Sequence, residues 1–159
     1  MTFTLTSTDI TDGGVLPDAQ VRAKGNLSPH LAWSGAPEGT KSYAVTCYDP
    51  DAPTGSGFWH WTVANIPADV NELATGAGSA DGELPKGAIQ GRTDYGQPGF
   101  GGAAPPPRHG SHRYIFTVFA VDVDRLDVTA DNSGAVFGFN LHFHTLARAS
   151  ITATYENKG

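Results

Sequence analysis

A β-dominated α+β fold follows from three features of this 159-residue chain. Its 20 Gly and 11 Pro divide it into many turns, which suits short strands better than a helical bundle. Apolar runs at 42–48, 61–66 and 114–121 have the length of strands. Only after Asp131 does the apolar period lengthen, with Phe139, Phe143, Leu146 and Ala147 recurring at helical spacing.

Taken in order, Phe3 and Leu5 alternate with threonines, a half-buried strand pattern, and Asp12-Gly13-Gly14 turns the chain. Ser28-Pro29-His30-Leu31-Ala32-Trp33 leads as extended chain into a short strand, with Trp33 as a core anchor. Tyr43 to Tyr48 and Trp61 to Ile66 read as a strand pair on either side of a loop. The roughly 40 residues from Ala68 to Pro107 are rich in Gly, Pro and Ala; a connection that long is packed on the sheet or functional. Tyr114 to Val121 is apolar at nearly every position, which predicts a strand covered on both faces. Asp131-Asn132-Ser133 supply N-cap oxygens for a helix between Ser133 and Ser150, and Thr152 to Tyr155 closes as a strand. Phe137, Phe139 and Phe143 are expected in the core. No repeat or boundary interrupts the pattern, so residues 1–159 read as one domain.

Charge and composition exclude several classes of function. The net charge is −6 and the ten Lys and Arg are scattered, so no basic stripe is available to neutralise phosphates of a nucleic acid or an anionic membrane. No apolar run approaches the ~20 residues of a membrane span. Met1-Thr2-Phe3-Thr4-Leu5 has no basic or apolar leader character. The single cysteine, Cys47, excludes an intrachain disulfide and fits a reducing compartment, so a cytoplasmic protein is expected. Cys47 lies in an apolar run and reads as a core residue.

Two segments concentrate chemistry. Asp49-Pro50-Asp51-Ala52-Pro53, followed by Trp59-His60-Trp61 and Asn65, places two carboxylates and a histidine on a loop stiffened by prolines. The second is Pro105-Pro106-Pro107-Arg108-His109-Gly110-Ser111-His112-Arg113-Tyr114, the one local concentration of Arg and His. On a strand, His112 and Tyr114 point one way and Arg113 the other, so an imidazole and a phenol sit side by side as donors for an oxyanion. A hydrolase is the alternative, with Ser56 or Ser111 as nucleophile beside His60 or His112 and Asp49, but no Gly-x-Ser-x-Gly elbow is present. His60 and His112 with a carboxylate could be cast as a metal site, yet His109/His112 and His142/His144 lack a supporting ligand pattern. On a helix, His142 and His144 are about 200° apart. Neither metal nor other cofactor is expected.

Together, Asp49-Pro50-Asp51-Ala52-Pro53 with His60 and Asn65, and Gly110-x-His112-Arg113-Tyr114, resemble the signature regions of the phosphatidylethanolamine-binding protein family. That family includes the Raf kinase inhibitor proteins, and this chain is most similar to its compact bacterial branch. The resemblance extends through Ser28-Pro29-x-Leu31-x-Trp33 and His144-x-Leu146-Ala147. It implies a β-sandwich with a large antiparallel sheet, a smaller sheet, a C-terminal helix and an anion pocket at one end. By the same resemblance, Asp49, Pro53, His60, Pro106, His112 and Tyr114 hold phosphate, phosphorylethanolamine or a similar small anion without catalytic turnover. Asp51 and Arg113 brace the two segments as a buried pair, whose breaking would cost about 3–5 kcal/mol. The Ala52–Pro53 bond is a candidate cis peptide. A protein kinase or a serine protease is the implied protein partner, and a homodimer through the C-terminal helix the implied assembly. Many members of that family carry Gly-Pro or Gly-x-Gly before the proline pair, where this chain departs in reading Gly102-Ala103-Ala104-Pro105-Pro106. Histidines beside Asp49 predict anion binding that strengthens below neutral pH.

Overall fold

Residues 2–159 are described by a computed structural model of the chain. In chain order the elements are β1 (Thr4–Thr6), β2 (Leu31–Ser34), β3 (Ser42–Asp49), β4 (Phe58–Pro67), β5 (Glu72–Leu73), β6 (Ile89–Gln90), β7 (Ser111–Val121), α1 (Gly134–His144) and β8 (Thr145–Glu156). They form a three-stranded sheet, β1-β2-β5, and a five-stranded sheet, β6-β4-β3-β7-β8, with every strand pair antiparallel.

Strand alternation sorts the core into two layers. Tyr43, Val45 and Cys47 of β3 and Tyr114, Phe116, Val118 and Ala120 of β7 turn toward Leu5, Leu31 and Trp33 of the small sheet. Ala44, Phe119 and Val121 turn the opposite way and pack under Phe137 and Leu141 of α1. The larger sheet is therefore covered on both faces, which is why β7 carries almost no polar residue along its inner length. Cys47 is buried in the first layer, and burial pushes its thiol well up, so it behaves as a small apolar residue.

The C-terminal part differs from its sequence reading. The helix ends at His144, and Leu146 and Ala147 belong to β8, which pairs with β7 along its whole length. A continuous ladder of backbone hydrogen bonds outweighs the helical spacing of a few apolar side chains. Ser133 does cap the helix, accepting a hydrogen bond from Val136 N–H. Gly134, Phe137 and Leu141 form its buried stripe, and a side chain at 134 would run into the Trp59 ring. Phe139 and Phe143 lie outside that stripe and are 68% and 62% exposed; they are surface residues, not core. No helix among the described residues is long and apolar enough to cross a membrane.

Two β-bulges interrupt the β3–β4 ladder, and both fall on motif residues. Cys47 pairs with Trp61 and Tyr48 with Trp59, so His60 is the extra residue. Further along, Tyr43 pairs with Ile66 and Val45 with Val63, leaving Ala64 and Asn65 opposite Ala44 alone. Asn65 adopts a left-handed backbone (φ 62°), a conformation that Asn tolerates better than most residues, and its Oδ1 accepts the buried Leu126 N–H at 2.7 Å. Asn65→Ala removes the acceptor and keeps the strained backbone. It is expected to destabilise the fold by about 2–4 kcal/mol, read as a lower urea midpoint with an unchanged slope.

Candidate functional site

At one end of the five-stranded sheet β3 stops while β4 and β7 begin, so Asp49, His60, His112 and Tyr114 converge from three adjacent strands. They line a cavity of about 220 Å³ together with Pro53 and Pro106. The cavity thus gathers all six residues singled out as ligand-binding by the sequence. Phe58, Tyr95, Ala104 and Pro105 also line it and were missed. Tyr95 had a faint signal, a lone aromatic within the Gly- and Pro-rich stretch. Only the fold brings it onto Phe58 and His60, with ring centroids 4.7 and 5.6 Å away.

Asp49 and His112 are 2% and 1% exposed and form the buried pair of the site. Asp49 Oδ2 accepts from His112 Nδ1 at 2.7 Å, and Oδ1 accepts from Asp51 N–H at 2.7 Å. On its far side, His112 Nε2 meets His109 Nδ1, also at 2.7 Å. Both nitrogens of His112 are therefore engaged, one inward and one outward. His109, which the sequence reading set aside, is a direct neighbour of the site.

His60 sits among Phe58, Tyr95 and Tyr114, a bulged residue freed from strict alternation with Trp61. Its Nδ1 donates to Gly101 O at 2.9 Å; a carbonyl can only accept, so Nδ1 carries the hydrogen and neutral His60 keeps its lone pair on Nε2. Burial lowers its pKa below the ordinary histidine value, and the Gly101 carbonyl and Asp49 only partly oppose this. Tyr114 is fully buried and its hydroxyl has no hydrogen-bond partner among the described residues. Burial first, then the Asp49 charge, pushes that phenol far up, so it stays a donor. Arg22 stacks on the Tyr95 ring, 3.5 Å from its centroid.

Asp51 and Arg113 do meet, but not as a buried pair. Asp51 accepts from Arg113 N–H, Nε and Nη2 at 2.9, 3.0 and 2.9 Å, tying the loop after β3 to β7. Their side chains are 29% and 55% exposed, because Arg113 points away from the cavity as strand alternation requires. The larger cost expected for a buried pair does not apply. Nor is the Ala52–Pro53 bond cis: no cis peptide occurs among the described residues. Thr54 N–H donates to Ala52 O at 2.8 Å, a three-residue turn centred on Pro53 that the fixed proline φ already suits. The run with two alanines before the prolines is pinned to the segment after β1: Ala103 N–H donates to Gln20 O at 3.1 Å and Arg22 N–H to Ala103 O at 2.9 Å.

Neither Ser56 nor Ser111 lines the cavity, and neither bonds a histidine among the described residues. Thr54 lines it, but its hydroxyl donates to Gly57 O. No three His, Cys, Asp or Glu among the described residues are grouped to hold a metal ion. A larger open groove of about 680 Å³ has Asp81 and Glu83 and no basic residue on its walls, which disfavours an anion there.

The Arg113 contact holds the Asp51 carboxyl down to about 2, from 3.8. A depressed carboxyl adds stability that is complete above its unfolded value and lost as pH falls through its folded one. At this partial exposure the pair contributes about 1 kcal/mol. Asp51→Asn is expected to lower stability by that amount at pH 7, and to lose less than the parent chain between pH 4 and pH 2, in urea titrations across that range.

Comparison with known proteins agrees with this geometry. A family model described as phosphatidylethanolamine-binding protein matches residues 6–156. The UPF0098 protein YbhB of Escherichia coli K12 is 56% identical over 157 residues, spanning 96% of this chain and 99% of its own. The crystal structure of E. coli YbcL, described as a member of the mammalian PEBP family, superposes with a TM-score of 0.94 at 51% identity, covering 97% of this chain and 98% of that one. A structure described as a phosphatidylethanolamine-binding protein homolog from Chlamydia trachomatis gives 0.82 at 28% identity, covering 98% and 97%. Fold and sequence likeness agree: the chain belongs to the phosphatidylethanolamine-binding protein family.

Proposed function

We propose that the chain is a binding protein for a small anionic group of the phosphoryl type, acting without turnover. The observation that carries this reading is the Tyr114 hydroxyl, a buried donor with no protein partner, set in a cavity beside two imidazoles. A buried polar group left unpaired costs about 1–3 kcal/mol, so a ligand oxygen at that point would recover the loss. At about 220 Å³ the cavity is smaller than the ~300–1,000 Å³ usual for drug-sized ligands, which suits a phosphate or phosphorylethanolamine headgroup better than a whole lipid. The hydrolase alternative has less support, since neither Ser56 nor Ser111 lines the cavity and the Thr54 hydroxyl is engaged by Gly57 O. A protein kinase or a serine protease is the partner class implied by the family resemblance; the same pocket would supply such a partner with a site for a phosphorylated side chain. The buried, unpaired Cys47 supports a cytoplasmic setting.

The sign of the pH dependence follows from His60. Lowered by burial, it is neutral near pH 7 and presents a lone pair to the cavity. Protonation converts Nε2 into a charged donor, so affinity for an anion rises as pH falls below neutral. Calorimetric titration of inorganic phosphate and phosphorylethanolamine into the parent chain and His60→Ala at pH 5.5 and 7.5 tests this. The parent chain is expected to bind several-fold more tightly at the lower pH, with the difference reduced in the variant. Equal affinity in all four measurements overturns the reading.

The outer face of α1 supports a homodimer. Phe139 and Phe143 are exposed and meet edge to face at 5.2 Å, with Leu146 43% exposed nearby in sequence. Two large aromatics left in water on one face are better explained by a partner than by folding of the chain alone. Sedimentation at micromolar concentration is expected to show a dimer that Phe139→Ser/Phe143→Ser converts to monomer. A monomer for the parent chain removes the proposal.

A further inference from the structure

His109 stands outside the cavity and is exposed, yet it holds the outward nitrogen of a buried histidine. His112 Nδ1 donates to the Asp49 carboxylate at 2.7 Å, which leaves Nε2 as the second hydrogen-bonding position of the ring. His109 Nδ1 shares one hydrogen with that nitrogen at 2.7 Å, and the rings stand at 65° with centroids 4.9 Å apart. Both nitrogens of His112 are thus held by protein side chains, and neither is spare for an incoming anion. The free polar positions are the Tyr114 hydroxyl and His60 Nε2.

The backbone around His109 is built to aim it. Arg108 takes a left-handed conformation (φ 60°), uncommon for a residue with a side chain, and Gly110 follows at φ 93°. Arg108 N–H is tied to Asn157 O at 2.8 Å, and His109 N–H closes a turn to Pro106 O at 3.2 Å. Pro106 is itself part of the cavity wall. The turn that carries His109 is thus continuous with the wall and anchored to the C-terminal segment, while its side chain is exposed to solvent.

We propose that His109 is an affinity-setting gate of the pocket: it occupies His112 Nε2, and a phosphoryl oxygen must displace it to reach that nitrogen. The gate rests on the anion-binding reading above. A phosphate that still carries an acid hydrogen can donate it where Nε2 bears its lone pair, and a fully ionised one can accept where Nε2 bears the hydrogen. In both cases the hydrogen bond gained at Nε2 is offset by the one lost to His109. Removing the competing imidazole should therefore strengthen binding, whereas a residue that merely contacts the ligand would weaken it on removal.

The experiment is calorimetric titration of inorganic phosphate into the parent chain, His109→Ala, His109→Gln and Tyr114→Phe. One hydrogen bond's worth of competition predicts about threefold to tenfold tighter binding in His109→Ala. His109→Gln, whose side chain can cap the same nitrogen, should return toward the parent affinity, and Tyr114→Phe should weaken binding. Equal or weaker binding in His109→Ala, with Tyr114→Phe impaired, overturns the gate and leaves the anion reading standing. If neither the parent chain nor His109→Ala binds phosphate, the anion reading fails and the gate with it. Imidazole proton NMR of the parent chain gives a check that needs no variant. The downfield signal of the hydrogen between His109 and His112 should be lost at saturating phosphate, and its persistence overturns the proposal.

Discussion

The carboxylate of Asp49 is buried at the end of a sheet, and the neighbouring segments are arranged so that its charge can be tolerated there. Removing an ion of this kind from water costs several kcal/mol unless its oxygens are hydrogen-bonded. Asp51 N–H satisfies one oxygen and His112 the other. Each of these then requires its own support. Asp51 is fixed because its side chain is held by Arg113, and His112 is oriented between Asp49 and His109. The two motif segments, far apart in sequence, are thereby joined around one charge.

Sheet geometry decides which other groups reach this charge. A regular β4 would alternate Trp59, His60 and Trp61 against β3 without interruption. The bulge at His60 removes it from that alternation and lets it face the cavity while Trp61 remains in the core. The second bulge, at Asn65, bends the same strand and supplies an acceptor to the segment leading to α1. Both faces of the sheet are covered, so the strand end is where water and ligand have access. A pocket at that end needs no separate domain or moving element, since the closing of β3 and the opening of β4 and β7 already leave a gap between strands.

Electrostatics at the site are less basic than the count of histidines suggests. Burial keeps His60 neutral near pH 7 and keeps the Tyr114 phenol protonated. On the proposed anion-binding reading, such a pocket would discriminate by hydrogen positions more than by net attraction, because an anion has to meet a donor at each place where it presents a lone pair. On that reading an imidazole outside the cavity would matter too, since the group that engages His112 Nε2 would determine what the ligand meets there.

Much of the architecture was legible in the chain itself. Apolar runs and turn residues identified β3, β4 and β7, and the family resemblance carried by the two motifs implied Asp49, Pro53, His60, Pro106, His112 and Tyr114 as one lining of the cavity. These succeed because period and turn chemistry are local properties, and because the two motifs are specific only as a pair. What the sequence could not decide depends on neighbours distant along the chain. Phe58 and Tyr95 acquire their role only when the loop before β7 folds over β4. Phe139 and Phe143 are exposed because a glycine at 134 sets which helical stripe lies on Trp59. The Asp51–Arg113 pair is open to solvent because Arg113 falls on the outward face of β7. His109 touches His112 because a left-handed Arg108 turns it back. Residue types and spacings specified which chemistry is present; packing and backbone direction specified which atoms of that chemistry remain free.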